Sequence, residues 1–287
     1  MGGVVAAAFW WVVVGDDDAG LPDALGSYDV AGVGWIPAMT IAEPSDWSDR
    51  IPADAGRSAA AATMAARQAR TPAALAALLA PVYGQSFDIP IYIDGMGLIA
   101  HLAQGDLLHV EALAAPYLDG TRDSLDSPFG VSSLVLAGHL VFAELARITG
   151  DSRYLDRARA AADFAFDEEG AMLDAMPAHG EMSDSVFMGA SILAAVGALT
   201  GEVRYFDMAA RHIAFMNRLV RRDDGLYRHS PLTDAAWGRG NGFAAIGYAL
   251  TLSDMPDNHE SRPRLLDEYR QLMDTLRTHQ NVDGTWR

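Results

Sequence analysis

The run from Val186 to Leu199, VFMGASILAAVGAL, constrains this chain more than any other stretch, because nearly every position is Val, Phe, Met, Ala, Gly, Ile or Leu. A helix of that composition has no wet face and must be covered on all sides. Beyond the break at Thr200-Gly201 the pattern changes. Tyr205, Phe206, Ala209, Ile213 and Met216 recur at helical spacing, while Arg204, Asp207, Arg211 and Arg218 take the opposite face. The spacing predicts one dry helix followed by one helix with a solvent side.

The same unit occurs one step earlier. Val131 to Ile148 is apolar nearly all round, Thr149-Gly150-Asp151 breaks it, and Tyr154, Leu155, Ala158, Ala161, Ala162 and Ala165 form a single stripe. The turns agree almost letter for letter, TGDSRYLDRA against TGEVRYFDMA. A fainter copy pairs Met96–Ala103 with Val110–Leu118, and a fourth pairs Gly242–Leu252 with Arg262–Arg277. A repeat of about 50 residues, one dry helix and one half-wet helix, predicts an all-α fold of two concentric rings, an (α/α) toroid of helical hairpins. An open helical solenoid is the alternative, but its inner helices would be less uniformly apolar.

At 287 residues and 50% hydrophobic, the chain can bury the core of one large α domain. It has no cysteine, which excludes disulfides and thiolate sites. All 21 basic residues are Arg, Asp outnumbers Glu by 29 to 9, and the formal net charge is −17. Such a surface is expected of a salt-adapted protein, in which high salt screens self-repulsion. A melting temperature that rises from low to molar salt would bear this out, and a flat or falling one would refute it. No basic stripe is present for nucleic acid. Val4–Val14 is apolar and holds Phe9, Trp10 and Trp11, but it is short for a bilayer and lacks the charged start of a secretion signal. It is expected to be a buried helix or strand of a cytoplasmic protein with no membrane partner. Residues 1–88 otherwise read as Gly- and Pro-rich loops with Ala-rich helices at Ser58–Gln68 and Pro72–Leu79, and the hairpins occupy residues 89–287.

In a toroid the inner helices run in the same sense, so the segments leading into them gather at one mouth. Asp126 precedes the inner helix near Val131, Asp184 opens the next, and Trp237 to Asn241 lead into the third. Asp184, in SDSVFMG, has two readings. It can be an N-cap worth about 1 kcal/mol, or, since Ser183 could cap equally well, an acid whose carboxyl holds its proton longer against Phe187 and Met188. Asp126, in SLDSP, reads as a cap or turn before Pro128, or as a second carboxyl at the mouth; Asp123 is its competitor. In WGRGNGF the plain reading is a turn with Asn241 as cap and glycines for positive φ, which leaves Trp237 and Arg239 unexplained. Trp suits stacking on a sugar and Arg suits a carboxylate. His229, in DGLYRH, reads as a solvated loop histidine and Arg228 as surface. His101, His139 and His212 lie within helices, packed or exposed rather than ligating, and no spacing suggests a metal site.

The order and spacing of SDSVFMG, DGLYRH and WGRGNGF resemble the unsaturated glycuronyl hydrolases of glycoside hydrolase families 105 and 88, which are six-hairpin (α/α) toroids. The resemblance covers roughly Ile89 to Arg287, with Phe243 where the family usually has Trp. It implies that Asp184 is the proton donor and that Asp126 is the second carboxyl, one hairpin earlier. It also implies that His229, Trp237, Arg239, Asn241 and Phe243 contact an unsaturated uronic-acid oligosaccharide, with no metal and no cofactor. Four hairpins are legible where the family has six. The expected structure therefore has a gap, or an irregular N-terminal substitute, beside Arg262–Arg277, and an open ring would favour self-association. Two other readings are a carbohydrate-binding or truncated paralogue without activity, and another toroid enzyme, an epimerase or exo-hydrolase. An epimerase would need a pair of rim histidines, and only His179 and His229 lie on plausible loops.

Overall fold

The computed structural model describes residues 69–125, 130–281 and 286. The chain divides into two compact units, residues 16–75 and residues 1–15 with 76–287. Only residues 69–75 of the first are described, so the account that follows concerns the second. The apolar stretch Val4–Val14, the expected helix at Ser58–Gln68 and any N-terminal substitute from the first 68 residues lie outside the described residues.

A short helix, α1 (Pro72–Leu79), matches the expected Ala-rich segment. Four hairpins follow among the described residues. Their inner helices are α2 (Tyr92–Ala103), the broken pair α4 (Ser133–Gly138) and α5 (Leu140–Thr149), α7 (Ser185–Thr200) and α9 (Gly238–Asp254). Their outer helices are α3 (Leu107–Leu118), α6 (Ser152–Ala162), α8 (Val203–Val220) and α10 (Arg262–Thr278). Each inner helix packs on its own outer helix and on the next inner one, the arrangement of an (α/α) toroid. In α7, 13 of 16 residues are buried, which is why its sequence has no polar face. In α8 the buried residues include Tyr205, Phe206, Ala209, Ile213 and Met216, the predicted stripe. Each large side chain taken from water there contributes about 1.5–3 kcal/mol.

The repeated turns close in the same way. Gly150 and Gly201 adopt φ of 72° and 74°, and their N–H groups bond to Ala146 O and Gly197 O. A left-handed residue at a helix end is where glycine costs least. Thr149 and Thr200 each donate their hydroxyl to the carbonyl four residues back and accept the N–H two residues on. One local solution thus serves both hairpins.

The second inner helix departs from its predicted form. Val131–Ile148 reads as one helix in sequence, but the structure interrupts it at His139. The His139 ring donates from Nδ1 to Val135 O at 2.8 Å, and the His139 backbone N–H turns to Leu136 O instead. A side chain that takes an i−4 carbonyl bends a helix. At the same place Gly138 lies against the entry to α2, where a Cβ would stand 1.9 Å from Pro90 O.

The outer and inner layers of the last two hairpins are also joined by a network of buried and half-buried polar groups. Tyr227 donates its hydroxyl to Asn217 Oδ1, Asn217 donates to Tyr248 Oη (2.9 Å) and Glu268 Oε2 (3.2 Å), and Tyr248 donates to Glu268 Oε2 (3.0 Å). The network ties α8, α9 and α10 to the segment between α8 and α9.

Burial holds His139 and His212 neutral and lowers both to about 4, against an ordinary 6.5. The unfolded chain therefore binds protons from about pH 6.5 downward while the folded chain does so only near 4, and stability is lost across that window. Each histidine supplies up to about 3 kcal/mol of that loss. Burial raises the carboxyls of Asp184, Glu144 and Asp254, which works in the opposite sense. The histidine share is therefore read as a difference: the fall in urea midpoint from pH 7 to 4.5 should be shallower in His139→Gln than in the parent. Equal slopes would count against it.

Candidate active site

Asp184 precedes α7 at the mouth end of the inner layer. Its backbone is helical (φ −56°, ψ −29°), and its carboxyl makes no capping bond to the helix. A working N-cap has extended backbone and turns its oxygen back onto the N2 or N3 N–H; Asp184 does neither. The half-buried carboxyl instead receives a long hydrogen bond from Ser183 Oγ (3.4 Å). Burial raises its pKa above the ordinary Asp value, and the positive charges of His229 and Arg239, with the Ser183 bond, pull it back in part. A desolvated carboxyl beside an imidazole and a guanidinium is suited to hold a proton and give it up to a nearby atom.

Three chain segments meet here. His229 O accepts the Ser183 N–H at 2.9 Å, which fixes the α8–α9 segment against the residue before the acid. The His229 ring packs edge-on against Trp237, with centroids 5.2 Å apart. Arg239 lies with its guanidinium carbon 4.3 Å from the Trp237 ring centroid. That ring face is therefore occupied by a cation, which limits the sugar-stacking role expected of Trp237. Both Trp237 Nε1 and His229 Nδ1 are buried without a hydrogen-bond partner among the described residues. Unsatisfied polar atoms beside an acid are places for a ligand's oxygens.

The glycines of WGRGNGF do not serve positive φ, as the sequence suggests. Gly238, Gly240 and Gly242 are helical residues of α9, and Trp237 is its N-cap. Gly240 is required by space: a Cβ there would lie 2.6 Å from Trp237 Nε1 and 2.8 Å from Ser183 Oγ. The missing side chain lets the indole and the serine beside Asp184 come together.

Asp184, His229, Trp237 and Arg239 are thus brought into one neighbourhood. Asn241 is buried and spends its amide on the backbone: Oδ1 accepts from Tyr227 N–H (2.8 Å), and Nδ2 donates to Tyr227 O (2.9 Å) and Trp237 O (3.0 Å). It holds the DGLYRH segment to the start of α9. Phe243 is also buried, stacked on Phe187 at 5.8 Å and edge-on to Tyr92 at 5.6 Å, so it forms part of the apolar floor. Asp126 lies outside the described residues. Its competitor Asp123 is an exposed turn residue that accepts the Leu125 N–H at 2.9 Å. Arg228 is half-buried and donates to Leu219 O (2.9 Å). Trp237 also lines a cavity of about 260 Å³ with Arg222, Asp224, Asn241, His279 and Trp286; Asp184 and His229 are not among its walls. Gly240 was invisible in sequence as part of the site, because it acts through a three-dimensional approach that no spacing encodes.

The fold is that of an (α/α)-toroid protein, with Asp184, His229, Trp237 and Arg239 gathered before two of its inner helices. The sequence pattern of Glycosyl Hydrolase Family 88 matches residues 135–287, just over half of the chain, and the chain belongs to that family. It is 26% identical over 114 residues to an unsaturated 3S-rhamnoglycuronyl hydrolase of Alteromonas sp. (strain LOR), covering 36% of this chain and 28% of that protein. Among solved structures, a family 88 glycosyl hydrolase from Bacteroides vulgatus has a TM-score of 0.57 at 17% identity, over 70% of this chain and 64% of the other. A protein named a polysaccharide lyase has a TM-score of 0.57 at 18% identity, over 72% and 64%. The chain thus spans about a quarter of the length of its curated relative and just under two thirds of these two structures.

Proposed function

We propose that the protein is a glycosidase that removes a 4,5-unsaturated uronic acid from the non-reducing end of lyase-generated oligosaccharides. The observation that carries the reading is Asp184: a half-buried carboxyl, raised by burial, making no capping bond and facing His229 and Arg239. Membership of Glycosyl Hydrolase Family 88 supports the class of reaction.

In this mechanism Asp184 donates its proton to C4 of the vinyl ether, and positive charge develops at C5 and the ring oxygen. The resulting carboxylate then accepts a proton from water as its oxygen bonds to C5. The product is a hemiketal, which opens and releases the sugar that was attached. Arg239 suits the C5 carboxylate, which a guanidinium can hold in two hydrogen bonds. The open donor Trp237 Nε1–H suits a ring hydroxyl, as does His229 Nδ1. No step asks for more than one acid/base group with fixed donors around it.

The test is incubation with a panel of lyase-generated unsaturated disaccharides, following the ultraviolet absorbance of the C4–C5 double bond. Loss of absorbance with release of the attached sugar is expected for at least one member. Binding without loss of absorbance would replace this reading with that of a carbohydrate-binding paralogue.

A further inference from the structure

Ser185, the residue after Asp184, has both its side chain and its carbonyl held by histidines. Its hydroxyl donates to His179 O at 2.6 Å, and its carbonyl accepts from His212 Nε2 at 2.7 Å. His212 stands on the outer helix α8 and is fully buried. Its other nitrogen, Nδ1, accepts the backbone N–H of Met176 at 3.2 Å. One partner is a carbonyl and the other an N–H, so only the neutral tautomer with the proton on Nε2 satisfies both. The imidazole thereby joins the loop before the acid to the first turn of α7.

The space for this ring comes from Gly189, one turn further along α7. A Cβ at that position would lie 2.4 Å from His212 Nε2 and 2.7 Å from Cδ2. Glycine in a helix interior costs roughly 0.5–1 kcal/mol relative to alanine. Packing of the hairpin does not call for a polar group there, since α7 and α8 also meet through Gly197 against the Phe206 ring. A buried imidazole bonded only to backbone on both sides, with a glycine opposite, does a specific job: it pins the peptide that follows Asp184.

We propose that His212 is the positioning residue of the acid site, fixing Ser185 O and Met176 N–H so that Asp184 leaves the helix toward His229 and Arg239 rather than folding back over the helix end. The proposal rests on Asp184 being the acid. It gives a role to a histidine that neither touches substrate nor titrates near neutrality.

The test compares His212→Leu, which fills the space without hydrogen bonds, with His212→Gln, whose amide N–H reaches Ser185 O. The first readout needs no substrate: the titration of the Asp184 carboxyl by carbon-13 NMR, assigned through the signal lost in Asp184→Asn. The parent carboxyl should titrate above the ordinary Asp range. His212→Leu should move it back toward that range as the side chain gains solvent, and His212→Gln should stay with the parent. On an unsaturated disaccharide, His212→Leu should lower kcat by about 10- to 100-fold with KM near the parental value. The alkaline limb of kcat should move to lower pH, because the acid must be protonated to act. A folded His212→Leu with parental Asp184 titration and parental pH profile overturns the proposal. If His212→Leu does not fold, Gly189→Ala decides, since its Cβ drives the ring off Ser185 O; unchanged Asp184 titration there overturns the proposal equally. A parent that cleaves no member of the panel sinks the glycosidase reading, while the NMR titration still decides the role of His212.

Discussion

Asp184→Asn is expected to lower turnover of an unsaturated disaccharide by at least the ~10²–10⁴-fold that accompanies loss of a general acid/base. Stability should hardly change, because the carboxyl makes no capping bond and Ser183 Oγ, at 3.4 Å, can bond to an amide as well. The amide also removes a desolvated charge, so the melting temperature should stay within a few degrees or rise. Arg239→Ala provides a contrast. It should act mainly through KM, because an arginine that grips the C5 carboxylate does so before and during reaction alike. Near-parental rates for Asp184→Asn would leave Asp184 without a chemical role.

The largest loss of stability is expected from Gly138→Ala. A Cβ there meets Pro90 O at 1.9 Å and Pro90 C at 2.4 Å, and both are main-chain atoms that cannot rotate away. The entry to α2 would have to move, at a cost of about 3 kcal/mol. For a chain of this size that lowers the melting temperature by about 10 °C. Gly150→Ala is the control: its φ of 72° is strained for alanine, but no atom lies within 4 Å of the added Cβ, so a loss of only about 1 kcal/mol is expected. Activity should fall with stability in Gly138→Ala, because the displaced entry carries Tyr92, which packs on Phe187 and Phe243 at the start of α7 and α9. A Gly138→Ala variant that melts within a few degrees of the parent would refute the close approach.

Sequence made the hairpins legible because burial writes itself into composition: α7 is apolar on every face and α8 on one, as their positions in the inner and outer layers demand. The TGD and TGE turns were equally plain, since a left-handed residue with a threonine before it leaves a local signature. Asp184 stood out through its place before a dry helix. Approaches between distant segments were not legible. The break at His139 depends on which donor wins Val135 O, and the glycine at 240 depends on where the Trp237 indole rests. Asn241 looked like a group for substrate and binds backbone, because the peptide that takes its amide comes from 14 residues earlier. Asp126 lies outside the described residues, so the second carboxyl rests on the sequence alone.

The hydroxyl and amide network around Asn217 has a consequence for how the mouth opens in solution. Tyr227 gives its hydroxyl to that network and its N–H to Asn241, two residues before His229. The segment carrying His229 therefore cannot peel away as an independent loop without also releasing α8, α9 and α10. In hydrogen–deuterium exchange the Tyr227 amide should behave as part of the most protected cooperative unit, far slower than the exposed turn at Leu232. The wall of the site would then open only when the last two hairpins unfold together.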